Sequence, residues 1–227
     1  MKIPQHIVLF PDGNRRWAKT NNLSINKGYL AGEKNFADFL RWCKSRGVKV
    51  ITVFGFSTEN WKRPKQQVNF LMHLFEKYLG EGIEDLTKEG ARIKIIGQKE
   101  KLSPSLQQVI KNVESATENN TAIHINLAVS YGGRWDILQA FKKMSEEGIA
   151  SSKITEESLE RYLSTAGLPE PDLIIRAGGE MRISNFVLWQ AAYAELYFSP
   201  KMWPDFNEQD LDTALEEFDR RHRRFGS

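Results

Sequence analysis

Three short segments gather the residue types that handle phosphate. The first is Pro11-Asp12-Gly13-Asn14-Arg15-Arg16-Trp17, in which a carboxylate and two guanidinium groups flank a glycine. Arginine's planar fork donates paired hydrogen bonds to phosphate oxygens. Glycine lets backbone N–H groups approach an anion, and the start of a helix favours negative charge. A carboxylate placed there repels phosphate unless a divalent cation stands between them, so Asp12 points to Mg²⁺. The same seven residues also suit a plain turn carrying a solvated arginine pair.

The second segment is Phe56-Ser57-Thr58-Glu59-Asn60-Trp61-Lys62-Arg63-Pro64. Ser57 or Thr58 would serve as a helix cap and Trp61 as core, which leaves Asn60 and Arg63 without a structural duty. The third runs from Arg176 through Ala177, Gly178, Gly179, Glu180, Met181, Arg182, Ile183 and Ser184 to Asn185, two arginines and a serine around a glycine pair. It reads as a second anion pocket. Glu195, farther along, is a carboxylate that would be able to share a cation with Asp12.

The elements between these segments must bring them together. Ile7 to Phe10, Val48 to Phe56, Ala91 to Ile96, Ile123 to Val129, Leu173 to Ile175 and Glu195 to Phe198 read as strands. Phe36, Phe39, Leu40 and Cys43 recur with the period of a buried helix face. Val68, Leu71, Met72, Phe75, Leu79, Ile83 and Leu86 predict a long helix whose first turn holds Pro64, a position that costs proline no hydrogen bond. Leu106, Val109, Ile110 and Val113 mark another helix, and Leu211, Leu215 and Phe218 the last. Gly132 and Gly133 are expected to allow close helix–strand packing. Strands alternating with helices predict an α/β fold, one domain over residues 1–227 with a mainly parallel six-stranded sheet flanked by helices. Ligands of such sheets bind beyond the carboxyl ends of the strands, where the first three segments fall.

Composition narrows the function classes. The chain has 227 residues, 41% hydrophobic and 27% charged, which is ordinary for a globular protein. Cys43 is the single cysteine, so no internal disulfide forms, and its place on an apolar helix face predicts a buried, inert thiol. The histidines at 6, 73, 124 and 222 lack metal-ligand spacing. Net charge is +3 and the basic residues are scattered, apart from Arg220–Arg221 and Arg223–Arg224, a weak footprint for nucleic acid. No apolar run approaches the roughly 18 residues that span a membrane, so the expected location is cytoplasmic and any membrane contact peripheral. No G-x-S-x-G elbow, Walker lysine loop or G-x-G-x-x-G follows a strand, which turns the reading away from hydrolase, P-loop and dinucleotide chemistry. Two arginine pockets with wide aromatic content suggest two anionic, partly greasy substrates.

At family spacing and over nearly the whole chain, the sequence resembles the cis-prenyltransferases typified by undecaprenyl diphosphate synthase. The segments that carry the likeness are His6 through Ala18 and the second segment above, together with Tyr131-Gly132-Gly133-Arg134, Pro171 to Arg176, Gly179-Glu180, Arg182 to Phe186, Glu195 to Phe198 and Trp203-Pro204-Asp205-Phe206. The resemblance implies a homodimeric α/β fold with a hydrophobic tunnel and a Mg²⁺-dependent condensation of an allylic diphosphate with isopentenyl diphosphate. By that likeness Asp12 and Asn60 are catalytic, and Asp12 and Glu195 are metal-associated acids. Gly13, Asn14, Arg15, Arg16 and Trp17 cradle the allylic diphosphate, while Ser57, Thr58, Glu59, Trp61 and Arg63 position the reacting ends. Arg176, Arg182, Ile183 and Ser184 form the isopentenyl diphosphate pocket, and Arg224 and Gly226 reach the partner subunit.

Several positions depart from the family pattern. Ile25 and Tyr29 stand where an arginine and a histidine are usual, Pro11 replaces methionine, Ala177 replaces threonine or serine, and Met181 replaces a frequent histidine. These changes thin the polar groups near the allylic diphosphate, and Arg15, where glycine is common, returns one charge. They are compatible with drift in a long-chain synthase, or with a specialised member that makes short products or joins two dimethylallyl units head-to-middle, as lavandulyl-type synthases do. A non-catalytic partner subunit is the remaining alternative, opposed by the presence of Asp12, Asn60 and Arg182.

Overall fold

His6–Phe10, all buried, forms β1, and its side chains divide between two cores. Ile7 and Leu9 join the larger core on one face, while Val8 and Phe10 join a second core on the other. A strand apolar on both faces must be covered on both, as in parallel sheets. The computed structural model describes residues 1–81 and 87–221. The expected helical positions Ile83 and Leu86, and Arg224 and Gly226 near the C-terminus, lie outside the described residues.

The other strands are β2 (Val50–Ser57), β3 (Ala91–Ile96), β4 (Ile123–Tyr131), β5 (Leu173–Arg176) and β6 (Glu195–Phe198). They form one six-stranded sheet in the order β3-β4-β2-β1-β5-β6, and every pair is parallel. The helices are α1 (Asn14–Thr20), α2 (Ile25–Ser45), α3 (Lys65–Glu81), α4 (Pro104–Thr117), α5 (Gly133–Glu146), α6 (Glu156–Glu160) and α7 (Glu208–Arg220). Sequence patterning thus located every strand to within a few residues. Pro64 stands one position before α3 rather than in its first turn, and its carbonyl accepts from the N–H groups of Gln67 and Val68.

The larger core packs Phe39 and Cys43 of α2, Leu71 and Leu79 of α3, Ile110 of α4 and Leu215 of α7 against the sheet. Cys43 is fully buried, and burial pushes its thiol well above the ordinary range, so it is the inert group expected. Gly132 and Gly133 do allow close packing, but against loops rather than strands. A Cβ on Gly133 would stand 2.9 Å from the Leu188 nitrogen, and one on Gly132 would stand 2.8 Å from Thr58 Oγ1.

Two irregularities lie side by side in the sheet. Phe54 pairs with Ala128 but Phe56 with Val129, so Gly55 is an extra residue on β2. Ser57 then pairs with Tyr131, so Ser130 is an extra residue on β4, and it takes a left-handed φ of 54°. Each bulge reverses the alternation of its strand. Val53 and Phe56 therefore share the larger core, and Ala128 and Tyr131 share the second.

His6 closes the start of β1 with a polar network. Its Nδ1–H donates to the Pro169 carbonyl at 2.7 Å, and its Nε2 accepts from the Thr52 hydroxyl at 2.8 Å. Both bonds need neutral imidazole, and burial lowers its pKa to about 4 from 6.5. Above pH 6.5 both folded and unfolded states leave it neutral, so its contribution is fully present there. As pH falls from 6.5 to about 4, the unfolded chain takes up a proton that the folded chain does not, and stability declines. Urea midpoints measured across that window are expected to fall with pH, and less steeply in His6→Gln; equal slopes would remove His6 from the account.

Candidate active site

β1 lies between β2 and β5, and the chain leaves it toward β2. The crevice beyond the ends of β1 and β5 is therefore a switch point of the kind that holds ligands in α/β sheets. Asp12 follows β1 and Arg176 ends β5, and Arg176 Nη2 donates to Asp12 Oδ2 at 2.8 Å. The other guanidinium branch bonds to the Arg182 carbonyl and, at 3.0 Å, to Ser184 Oγ. Its plane lies over the Phe10 ring, 5.0 Å from the centroid. Arg176 is thus fixed by four elements of its surroundings while remaining almost wholly buried.

The first loop is shaped by backbone needs. Gly13 takes φ 101° and Gly178 φ 90°, left-handed values that disfavour any residue with a side chain. A Cβ on Gly178 would also stand 3.0 Å from the Asp12 carbonyl carbon. The Gly13 N–H donates to Asp12 Oδ1 at 2.6 Å, so both carboxylate oxygens are aimed. Arg16 lies 3.7 Å from Asp12 and 3.3 Å from Glu180, which also pairs with Arg182.

Gly28 and Gly32 press one side of α2 onto α1. Added Cβ atoms there would stand 2.3 Å and 2.0 Å from the Asn14 carbonyl and side-chain oxygens. Tyr29, Glu33 and Phe36 then point from α2 into a cavity of about 1210 Å³. Its mouth holds Asp12, Arg15, Arg63, Arg176, Arg182 and Ser184, and its depth is walled by Phe36, Val53, Leu71, Leu74, Phe75 and Leu127. The room left by Gly55 is not free channel, because a Cβ there would stand 2.9 Å from Leu127 Cδ1 and 3.1 Å from the Phe75 ring.

Arg63 is partly buried at this mouth, and burial, with Arg15 nearby, holds its guanidinium below the usual range despite Tyr29 and Asp12. It donates to Tyr29 Oη at 3.3 Å, and Gln67 Nε2 donates to the same oxygen at 2.6 Å. Among the described residues, Arg15, Arg63 and Arg134 have no carboxylate within ion-pair distance, yet all three line the cavity. Uncompensated cations around a polar mouth are a receptor for an anion.

Most expected site residues meet here: Asp12, Gly13, Asn14, Arg15, Arg16, Ser57, Glu59, Asn60, Arg63, Arg176, Arg182 and Ser184 all line the cavity. Asn60 Oδ1 accepts from the Ser57 N–H at 3.2 Å, which fixes its amide. Burial works to raise the Glu59 carboxyl, but hydrogen bonds, chiefly from Asn185, outweigh it and hold the group below the usual range.

Other expected residues are placed elsewhere. Trp61 turns into the core against Phe56 and donates to Ser130 Oγ at 2.8 Å. Trp17 donates to Asp205 at 2.7 Å, Thr58 bonds Glu59, and Ile183 packs on the second core. Glu195 is not brought to Asp12 within the chain. It opens β6, level with Leu173 and hence with Ile7, whereas Asp12 lies beyond the far end of β1. Its carboxylate meets Arg221 at 3.1 Å instead. The residue opens a strand, and strand starts lie at the opposite edge of the sheet from the loops that follow strands.

Two residues gain roles the sequence did not announce. Tyr29, marked only as a departure, is the acceptor that aims Arg63. Asn185 joins three segments: its Nδ2 donates to Glu59 at 2.8 Å, its Oδ1 accepts from the Arg134 N–H at 3.0 Å, and its carbonyl accepts from the Gly133 N–H at 2.6 Å. Ser184, Asn185 and Val187 all have positive φ (44°, 61° and 37°), strain that gathers in the loop carrying these contacts.

For a divalent cation the available set is small. Among the described residues no group of three or more His, Cys, Asp or Glu side chains stands together. Asp12 is 38% exposed at the mouth, which suits the way Mg²⁺ binds through one or two carboxylates, water and substrate phosphates.

Comparison with known proteins matches this geometry. A prenyltransferase family model, described as putative undecaprenyl diphosphate synthase, covers residues 10–226. An isoprenyl transferase of Neisseria gonorrhoeae is 48% identical over 99% of this chain and 90% of its own. A ditrans,polycis-undecaprenyl-diphosphate synthase ((2E,6E)-farnesyl-diphosphate specific) of Legionella pneumophila is 45% identical over 99% and 96%. Among solved structures, lavandulyl diphosphate synthase from Lavandula x intermedia in complex with dimethylallyl diphosphate superimposes with a TM-score of 0.95 at 37% identity, covering 99% of each chain. A probable undecaprenyl diphosphate synthase from Campylobacter jejuni gives 0.84 at 33% identity, covering 100% of each. A cationic mouth, an apolar interior behind it and a family match over nearly its full length agree: the chain belongs to the undecaprenyl diphosphate synthase family of prenyltransferases.

Proposed function

We propose that the protein condenses an allylic diphosphate with isopentenyl diphosphate and extends the product in the apolar cavity. The observation that carries this reading is the cavity itself, cationic at its mouth and hydrocarbon-walled behind, at about 1210 Å³ larger than most small-ligand clefts of roughly 300–1,000 Å³. Arg15, Arg16 and Arg63 hold the allylic diphosphate, and Arg176, Arg182 and Ser184 the isopentenyl diphosphate. Asp12 would hold Mg²⁺, which when bound would neutralise charge that gathers on a departing diphosphate.

The allylic C–O bond breaks with its electron pair leaving on the diphosphate, where the Arg15, Arg16 and Arg63 guanidinium groups spread the negative charge. The isopentenyl double bond supplies the electrons of the new C–C bond, and the C–H bond of the adjoining carbon breaks, its electrons forming the new double bond and its proton passing to the departed diphosphate. Asn60, held by Ser57, orients the reacting ends beside that proton. The walls at Phe36, Val53 and Phe75 exclude water, which would otherwise capture the allylic cation.

A second reading rests on the close superposition with lavandulyl diphosphate synthase and the altered positions Ile25 and Tyr29. In it, two dimethylallyl units join head-to-middle. Mass spectrometry separates the two. Elongation predicts product only when isopentenyl diphosphate and Mg²⁺ accompany the allylic donor, with turnover lost by at least about a thousandfold in a folded Asp12→Ala variant. Product from dimethylallyl diphosphate alone would favour irregular coupling, and unchanged turnover in Asp12→Ala would reject both.

Tyr29→Phe removes the acceptor that aims Arg63. The expected result is a roughly fivefold rise in KM for the allylic diphosphate, the worth of about one hydrogen bond, with kcat little altered. An unchanged KM would show that Arg63 needs no such support.

The functional unit is a homodimer. Leu138 and Phe141, one turn apart on α5, are 60% and 42% exposed, and β6 is an edge strand that exposes Leu196. Apolar side chains left exposed on a helix face and on an edge strand mark surface that another subunit covers. Sedimentation velocity is expected to give twice the chain mass, and Leu138→Asp to lower it; a monomeric parent protein would overturn the assignment.

A further inference from the structure

The turn from α1 into α2 is apolar where a surface turn is ordinarily polar. Leu23, Ile25 and Leu30 are 37%, 42% and 45% exposed, three large aliphatic side chains within eight residues. The backbone there is well held: the Leu23 N–H donates to the Ala18 carbonyl at 2.8 Å, and Ser24 caps α2 by accepting from the Lys27 N–H. Leu23 and Ile25 also line the cavity mouth beside Lys19, so apolar lining reaches from the interior out to the molecular surface.

Charge around this lip has one sign. From residue 13 to residue 32 the chain carries Arg15, Arg16, Lys19 and Lys27 and no acid, and from 60 to 75 it carries Lys62, Arg63 and Lys65 and no acid. The two stretches meet where Arg63 and Gln67 donate to Tyr29 Oη and the Tyr29 and Phe70 rings lie 6.3 Å apart. Among the described residues Lys19, Lys27, Lys34, Lys62 and Lys65 take part in no ion pair. At the other end of α2 the sign reverses, because Arg46 meets Glu208 and Asp212 of α7, a helix with six acids and one base. The two ends of α2 are roughly 30 Å apart at the rise of an α-helix. The molecule is therefore polarised along α2, and a negative surface would turn it lip first.

Aliphatic side chains among unpaired lysines fit a bilayer better than a protein. Protein interfaces are depleted in lysine and enriched in aromatic residues and arginine. On a membrane, lysines keep solvated charge against a diffuse negative surface while apolar side chains enter the headgroup boundary. Among the described residues no helix is long and apolar enough to cross a membrane, so such contact stays at its surface. We propose that the α1–α2 lip docks on an anionic lipid bilayer, with Leu23, Ile25 and Leu30 in the headgroup boundary and Lys19, Lys27 and Lys34 against lipid phosphates. Docked there, the cavity mouth lies beside the bilayer, and a hydrocarbon tail leaving the interior passes over apolar side chains instead of through water. Docking needs no turnover, so it is tested apart from the elongation reading.

The test is co-sedimentation of the ligand-free protein with vesicles of phosphatidylcholine, alone or mixed with phosphatidylglycerol. Binding is expected only to the mixed vesicles, and to weaken as salt is raised. Lys27→Glu/Lys34→Glu is expected to lower affinity at least about twentyfold, at roughly fivefold per lysine, and Leu30→Asp to lower it about fivefold. Lys111→Glu/Lys153→Glu makes the same change in net charge at exposed positions on α4 and before α6, and is expected to matter far less. Equal losses in the two double variants would show that net charge alone drives binding, and would overturn the lip. Protein that stays in the supernatant at every vesicle composition, the result expected of a protein-binding lip, overturns it as well. Release from vesicles by excess inorganic diphosphate would place lipid phosphate in the active-site mouth and reject the assignment. Lipid-free turnover of Lys27→Glu/Lys34→Glu is expected to match that of the native sequence, so loss of docking and loss of elongation are read separately.

Discussion

The pairing of Asp12 with Arg176 holds the site together. One residue follows β1 and the other ends β5, strands that sit side by side but are far apart in sequence. Their contact is what the sheet topology achieves at its switch point. Arg176 is held in turn by Ser184 and the Arg182 carbonyl, so the ion pair keeps a fixed geometry. Arg15, Arg63 and Arg134, with no carboxylate partner among the described residues, are then free to meet an anion. Preorganisation of this kind matters because charge develops quickly at a leaving diphosphate, and donors already in position need no rearrangement.

Around this pair the molecule separates two solvents. The mouth is rich in guanidinium groups, several of them without carboxylate partners among the described residues, while the interior is phenylalanine, leucine and valine. The boundary is maintained by contacts between loops rather than by the loops themselves. Asn185 bonds to Glu59, to the Arg134 N–H and to the Gly133 N–H, so the segments after β2, β4 and β5 are tied to one another. Strained backbone at Ser184 and Asn185 is consistent with a loop whose shape is dictated by its partners.

Much of this was legible in the sequence, because it depended on local pattern. Six apolar runs gave six strands, and acids, glycines and arginines after those runs gave the mouth. What could not be read depended on neighbours from elsewhere. Tyr29 looked like a lost histidine, yet its hydroxyl meets Arg63 only because α2 lies across the start of α3. Trp61 sits within a motif rich in site residues but turns inward, since the bulge at Ser130 offers its indole an acceptor. Glu195 was misjudged as a companion of Asp12 because one-dimensional spacing does not say which edge of a sheet a strand begins on; the parallel register puts it at the other.

The matched bulges at Gly55 and Ser130 have a further implication for how this sheet tolerates change in chain length. Each inserts one residue ahead of a segment that feeds the mouth, Glu59 and Asn60 on one side and Arg134 on the other. Removing a single residue from either strand would swing its downstream segment to the wrong face, while removing one from each would keep the two strands in step with one another. Single-residue deletions here are thus coupled across the ladder, and their harm is not additive.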